Sequence, residues 1–228
     1  MNKAVLRYSD DTQIMAEALT CRRGGRTVFA NMSFTLSAGS YLCLRGRNGA
    51  GKSTLLRLIA GLVPQSDGKF VVQAGGQALD IKSSLLMVGH LNGLKPALTL
   101  RDNAAMFQKV MTGQNLDQAV LQAAAKRFAL AHLLDQPVQY FSSGQRHRSA
   151  LMRFELVSRQ IWLMDEPTVG LDSDNRQALA VMMQSHLERG GIIISATHDP
   201  IDVEGIELNL DDFAPKQIGQ NSLESEWL

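Results

Sequence analysis

The sequence predicts an α/β fold: a mixed, largely parallel sheet, joined by an antiparallel β subdomain and interrupted by an inserted helical one. Three observations predict it. An apolar run, Tyr41-Leu42-Cys43-Leu44, enters a glycine-rich loop that opens directly into a helical pattern. Two further apolar runs, Ile161-Trp162-Leu163-Met164 and Ile192-Ile193-Ile194-Ser195, flank a helical stretch, as buried parallel strands on either side of a crossover helix do. Between these two regions, from Thr99 to about Arg159, the apolar period lengthens to that of a helix.

Taken in chain order, β segments come first, at roughly Ile14 to Cys21 and Thr27 to Leu36. The alternation in Met32-Ser33-Phe34-Thr35-Leu36 marks a half-exposed antiparallel strand. After the Tyr41–Leu44 strand and its loop, Thr54 to Gly61 reads as a helix closed by a C-terminal glycine. Lys69 to Ala74 and Ser84 to Val88 read as strands separated by a turn at Gly75-Gly76. In the helical region, Leu116, Val120, Leu121, Ala124 and Phe128 share one helical face. Met106, Met111 and Met152 read as core filler. The last β-α-β unit runs from Ile161 through a helix at Asp172–Arg189 to Ile194, with Asp172 placed to cap that helix. Leu208-Asn209-Leu210 reads as an edge strand, and residues beyond Asp211 as a polar, loosely held tail.

Four separated stretches carry the chemistry. Gly46-Arg47-Asn48-Gly49-Ala50-Gly51-Lys52-Ser53 has the P-loop spacing, two glycines five apart followed by Lys and a hydroxyl residue. Glycines let backbone N–H groups close on phosphate, and the helix that starts near Gly51 adds its positive end. Lys52 supplies a point charge, and the Ser53 hydroxyl a magnesium ligand. Asp165 and Glu166 stand at the carboxyl end of a predicted central strand, where open α/β sheets place ligands. Alone, such a pair would be a solvated strand end. After a P-loop, Asp165 suits a magnesium shell, and Glu166 suits the polarisation of a water. A lone His is usually structural, but His198, just past the tip of the next strand, is placed for a γ-phosphate contact. Phe141-Ser142-Ser143-Gly144-Gln145 is the fourth stretch.

These residues, in this order, resemble the ABC-type ATPases across about residues 14 to 210. The resemblance implies an ABC-type P-loop NTPase core over 12–210, the helical subdomain at about 99–159, an N-terminal extension 1–11 and a tail 211–228. It makes Gly46–Ser53 the Walker A loop, Ile161–Glu166 the Walker B strand with its catalytic glutamate, Val169–Asp172 the D-loop, and His198 the switch histidine. Ser142, Ser143, Gly144 and Gln145 occupy the signature, usually written LSGGQ, with Ser143 in place of its first glycine. The implied assembly is a head-to-tail homodimer holding two ATP molecules, each with magnesium, between one subunit's P-loop and the other's signature. The signature and a helix starting near Arg146 would then be a second anion cradle, used in trans. Two further departures stand out. Arg23 takes the slot of the adenine-stacking aromatic, and His90 takes the place of the Q-loop glutamine, a poor exchange for a hard cation.

The second departure narrows the likeness. Met87-Val88-Gly89-His90-Leu91-Asn92-Gly93-Leu94-Lys95-Pro96, followed by Leu98-Thr99-Leu100-Arg101-Asp102-Asn103, resembles the ATPase subunits of bacterial cytochrome c maturation, the haem-exporter type. That implies integral membrane permease partners and a place on the cytoplasmic face of the inner membrane. Another exporter or importer, of lipoproteins, peptides or small molecules, would carry the same site. Nucleic acid is not an expected partner, because a net charge of +1 gives no attracting field. A soluble cassette acting on DNA or ribosomes would carry a coiled-coil insert, zinc cysteines or a second cassette. Cys21 and Cys43 have no paired spacing and read as reduced packing residues; no CxxCH occurs. Met1 to Asp11 lacks the apolar core of a signal peptide. No run is long and apolar enough to span a membrane.

Overall fold

The computed structural model describes residues 7–89 and 92–215. Two sheets organise it. β1 (Thr12–Arg23), β2 (Arg26–Ser37), β4 (Asp67–Ala74) and β5 (Gln77–Ala78) form an antiparallel sheet in the order β2-β1-β4-β5. β6 (Leu85–Val88), β7 (Ile161–Asp165), β8 (Ile192–Ala196), β3 (Tyr41–Arg45) and β9 (Ile206–Asn209) form a parallel sheet in the order β6-β7-β8-β3-β9. The helices are α1 (Lys52–Ile59), α2 (Ile81–Ser84), α3 (Leu100–Thr112), α4 (Gln118–Arg127), α5 (Ser143–Leu151), α6 (Arg153–Leu156) and α7 (Ser173–Glu188). The predicted α/β class, with an antiparallel β part and a helical insertion, is what is found.

The period of two sorts the parallel sheet into two faces. Leu42, Leu44, Ile161, Leu163, Ile192 and Ile194 pack with α1 residues and the antiparallel sheet in one core. Tyr41, Cys43, Trp162, Met164 and Ile193 face the other way, into a second core shared with α7 and the helical segment. The sheet is therefore covered on both sides, as a parallel sheet of apolar runs requires. Cys21 and Cys43 are buried and free. Of the methionines, Met152 is buried, Met111 is partly buried against the core, and Met106 is 36% exposed, so it fills no core.

Local rules explain most boundaries. Gly61, at φ 69°, closes α1 by donating its N–H to Leu58 O at 2.9 Å. Asp172 caps α7 by accepting from Asn175 N at 2.9 Å. Leu121, Ala124 and Phe128 are buried along α4, while Leu116 and Val120 pack at its edge. Three readings are corrected. The strands at 67–74 and 85–88 lie in different sheets, with β5 and α2 between them, and Ser84 ends α2. The edge strand is β9, two residues earlier than read. Leu210, read into the edge strand, instead opens a 3-10 turn over Leu210–Phe213 and is fully buried.

β1 bends sharply. Its pairing with β4 slips between Glu17 and Thr20, and Ala18 sits at φ 47°. Opposite the bend, a Cβ on Gly68 would stand 2.4 Å from Ala18 O and 2.6 Å from Glu17 O, so only glycine fits. The seam between core and helical segment is polar. Arg153 donates to Asn92 O at 2.7 Å and Gly93 O at 2.9 Å, with its guanidinium over Phe107. Asn103 bonds both the N–H and the carbonyl of Lys95.

At the far end of β7 from Asp165, His186 stacks on Trp162 at 3.6 Å and bonds Gln160 O through Nε2 at 3.0 Å. Burial pushes its pKa down to about 3, against about 6.5 for an unfolded chain. The unfolded state takes up this proton first. Stability therefore falls as pH drops below about 6.5, by up to about 1.4 kcal/mol per pH unit, and the loss is complete near pH 3. His186→Phe keeps the stack, and Gln160 O still accepts from Ile192 N at 2.8 Å. Urea titrations at pH 7 and pH 4.5 should show a smaller acid loss in the variant. Equal losses in the two proteins would acquit His186.

Candidate functional site

The loop between β3 and α1 is shaped by three glycines in left-handed or related conformations: Gly46 at φ 129°, Gly49 at 85° and Gly51 at 106°. Gly51 is also pressed from behind, since a Cβ there would meet Val28 Cγ1 at 2.6 Å. Ala50 N donates to Arg47 O at 3.1 Å, curling the loop. Lys52, Ser53 and Thr54 form the first turn of α1. Gly51 is the N-cap and brings no side-chain acceptor, so no side-chain group caps the first turn. Gly49, Gly51, Lys52, Ser53 and Thr54 line a cleft of about 670 Å³ together with Asn48, Asp165 and Glu166. Arg23, Val28 and Arg57 form its remaining wall.

Lys52 is only 7% exposed, and its Nζ donates to Gly46 O at 2.7 Å. Ser53 Oγ donates to Asp165 Oδ1 at 3.0 Å, and Asp165 Oδ2 is buried with no hydrogen-bond partner. This pairing of a hydroxyl with a half-satisfied carboxylate offers hard oxygen ligands to a divalent cation. Among the described residues no cluster of three or more His, Cys, Asp or Glu is arranged to hold a metal. An ion at Ser53 and Asp165 would thus draw its other ligands from phosphate and water, as magnesium sites commonly do.

Glu166, the next residue, is at φ 53°, a conformation that costs an ordinary side chain about 1–3 kcal/mol. Its N–H donates to Ala196 O at 2.7 Å, and its Oε1 lies 3.6 Å from His198 Nε2. His198 Nε2 is also 2.7 Å from Asn48 Oδ1 and 3.2 Å from Lys52 Nζ. One ring nitrogen cannot serve all three: protonated, it donates to Asn48 or Glu166; unprotonated, it accepts from Lys52. The loops after β7 and β8 are tied by Thr168 Oγ1 and Thr197 Oγ1, buried and 3.0 Å apart.

Three supports carry no sequence motif. Arg45, at the end of β3, donates to the carbonyls of Thr197 and His198 at 2.9 and 3.2 Å, fixing the histidine loop. Asp211 accepts from Arg47 N at 3.0 Å and holds the outer side of the glycine loop. Arg176 donates to Leu171 O at 3.2 Å and to Asp199 Oδ2 at 2.7 Å.

Ser142, Ser143, Gly144 and Gln145 lie elsewhere, outside the lining of that cleft. Here the helix start moves: α5 begins at Ser143, not near Arg146. Ser142 Oγ accepts from Gln145 N at 3.2 Å, and Gln145 Oε1 accepts from Ser142 N at 2.8 Å. This is a capping box, legible as Ser-x-x-Gln. Asp172 is also outside the lining of that cleft, and bonds from Asn175 hold its carboxyl below the usual carboxylate range. His90 lies outside the described residues.

Comparison with known proteins agrees with this geometry. A model of the ABC transporter family matches residues 29–169. The curated "Cytochrome c biogenesis ATP-binding export protein CcmA" of Chelativorans sp. (strain BNC1) is 41% identical, over 86% of this chain and 96% of its own length. Its counterpart of the same name in Rhodopseudomonas palustris (strain BisB5) is 39% identical, over 86% of this chain and 97% of its own. Among solved structures, an ATP-binding ABC-transporter protein from Pyrococcus furiosus superposes with a TM-score of 0.78, over 89% of this chain and all of that one. At 19% identity it speaks for the fold alone. With a family model covering more than half of its length and relatives this similar along most of it, the chain belongs to the ABC transporter family, as an ATP-hydrolysing subunit.

Proposed function

We propose that this chain is the ATPase subunit of an export complex for cytochrome c biogenesis, hydrolysing ATP in the cleft between the glycine loop and Asp165-Glu166. The observation that carries the site is the convergence of Lys52, Ser53, Asp165 and Glu166 on one cleft, with His198, from a third strand end, in reach of Lys52, Asn48 and Glu166. The likeness to the curated cytochrome c export proteins supports the biological role.

In this reading the N–H groups of residues 46–54 and the Lys52 ammonium bind the phosphates. Ser53 and Asp165 hold magnesium, which when bound neutralises phosphate charge. Glu166 accepts a proton from the attacking water, and His198 stands beside it to contact the γ-phosphate. Arg23 offers a guanidinium face to the base. The signature residues Ser142–Gln145, set apart from the chain's own cleft, meet the nucleotide of a second copy in a head-to-tail homodimer. Asp172 sits at that interface, and the dimer works membrane permease subunits at the cytoplasmic face of the inner membrane. Among the described residues no helix is long and apolar enough to cross a membrane.

A strain deleted for this gene should lose its c-type cytochromes, read as haem-stained bands, and regain them with the wild-type gene but not with Glu166→Gln. Normal bands in the deletion strain would overturn the biogenesis role and leave an ATPase serving another transporter.

A further inference from the structure

The helix that follows Ser142 also reaches back into its own subunit. His147, in the second turn of α5, places Nε2 3.0 Å from the carbonyl oxygen of Pro167. A carbonyl oxygen only accepts, so the proton resides on Nε2. Pro167 directly follows Glu166, whose left-handed backbone persists only where its surroundings over-determine it. Two of those surroundings belong to the β8 side, the Glu166 N–H on Ala196 O and the Thr168–Thr197 hydroxyl pair. The third comes from α5. There the two backbones also press together, since a Cβ on Gly144 would lie 3.1 Å from Gly170 O. The loop that aims Glu166 is thus held between the sheet and the helix headed by Ser142.

We infer that His147 is a positioning residue: through Pro167 O it sets the aim of the Glu166 carboxylate and ties that aim to the seating of α5. This rests on the reading of Glu166 as the base. In the homodimer, α5 presents Ser142–Gln145 to the nucleotide of the other subunit, so the seating of one site is felt at the glutamate of the other. His147 itself touches no nucleotide, and its effect belongs in the chemical step rather than in binding.

The test is steady-state ATP turnover of purified His147→Ala and His147→Gln, beside Glu166→Gln and the double variant Glu166→Gln/His147→Ala. His147→Ala should lower kcat on the order of 10²-fold, as a displaced catalytic group does, with KM for ATP within about twofold of wild type. His147→Gln, whose amide N–H reaches the same carbonyl, should recover most of the loss. With Glu166 already replaced, His147→Ala should cost nothing further, because the two act as one unit. Wild-type kcat in His147→Ala, equal damage in His147→Ala and His147→Gln, a loss carried by KM, or an additive double variant would each overturn the inference. If Glu166→Gln itself turns over normally, the reading of Glu166 falls first and this inference with it. A slow Glu166→Gln beside a normal His147→Ala would sink the inference alone.

Discussion

Glu166→Gln should keep nucleotide binding and lower ATP turnover about 10²–10⁴-fold, the usual worth of a positioned general base. The amide matches the carboxylate in shape and can still reach His198 across the 3.6 Å now separating the two side chains. It cannot take a proton from water. The glycine loop, Lys52 and the Ser53–Asp165 bond are untouched, so the dissociation constant for ATP should stay within a few-fold of wild type. Retained nucleotide with blocked turnover should also lengthen the life of any ATP-bound dimer, measurable by size exclusion with ATP present. Turnover at the wild-type rate would remove Glu166 from the reaction.

Lys52→Ala should act at the opposite step. Its ammonium is nearly buried and is the cation closest to the loop carbonyls. Truncating one partner of a buried charge pair costs about 2–5 kcal/mol, or roughly 30- to 4,000-fold in Kd. The loss should appear in equilibrium binding of a non-hydrolysable ATP analogue, and turnover should fall with it at low ATP. Wild-type affinity in the variant would mean that the phosphates are not held by this loop.

In the parallel sheet β3, β6, β7 and β8 were legible because each is a short apolar run whose alternate residues face two different cores. The glycine loop was legible because its spacing answers a steric demand, seen here at Gly51 against Val28. The start of α5 was missed although its cue, Ser142 with Gln145 three residues on, stood in the sequence. Other features had no local cue. Arg45 on Thr197, Asp211 on Arg47 and Arg153 on Asn92 join residues far apart in the chain, and each looks like an ordinary surface charge in its own neighbourhood. The part of Asp211 is hidden for the same reason: it accepts from the backbone N–H of Arg47, 164 residues away in the chain. The kink at Ala18 likewise goes with the close approach of Gly68, which the residues of β1 do not announce.

That crossing reaches further than its location suggests. Gly68 is not among the residues lining the cleft beside the glycine loop, yet any side chain there would push on Ala18 and Glu17 of β1. The shove would pass to β2, the strand whose Val28 and Phe29 back the third glycine of the loop. In a mutational screen scored by growth or turnover, Gly68 would therefore register as sharply as a ligand contact. Sensitivity to substitution in this protein charts its scaffolding as well as its chemistry.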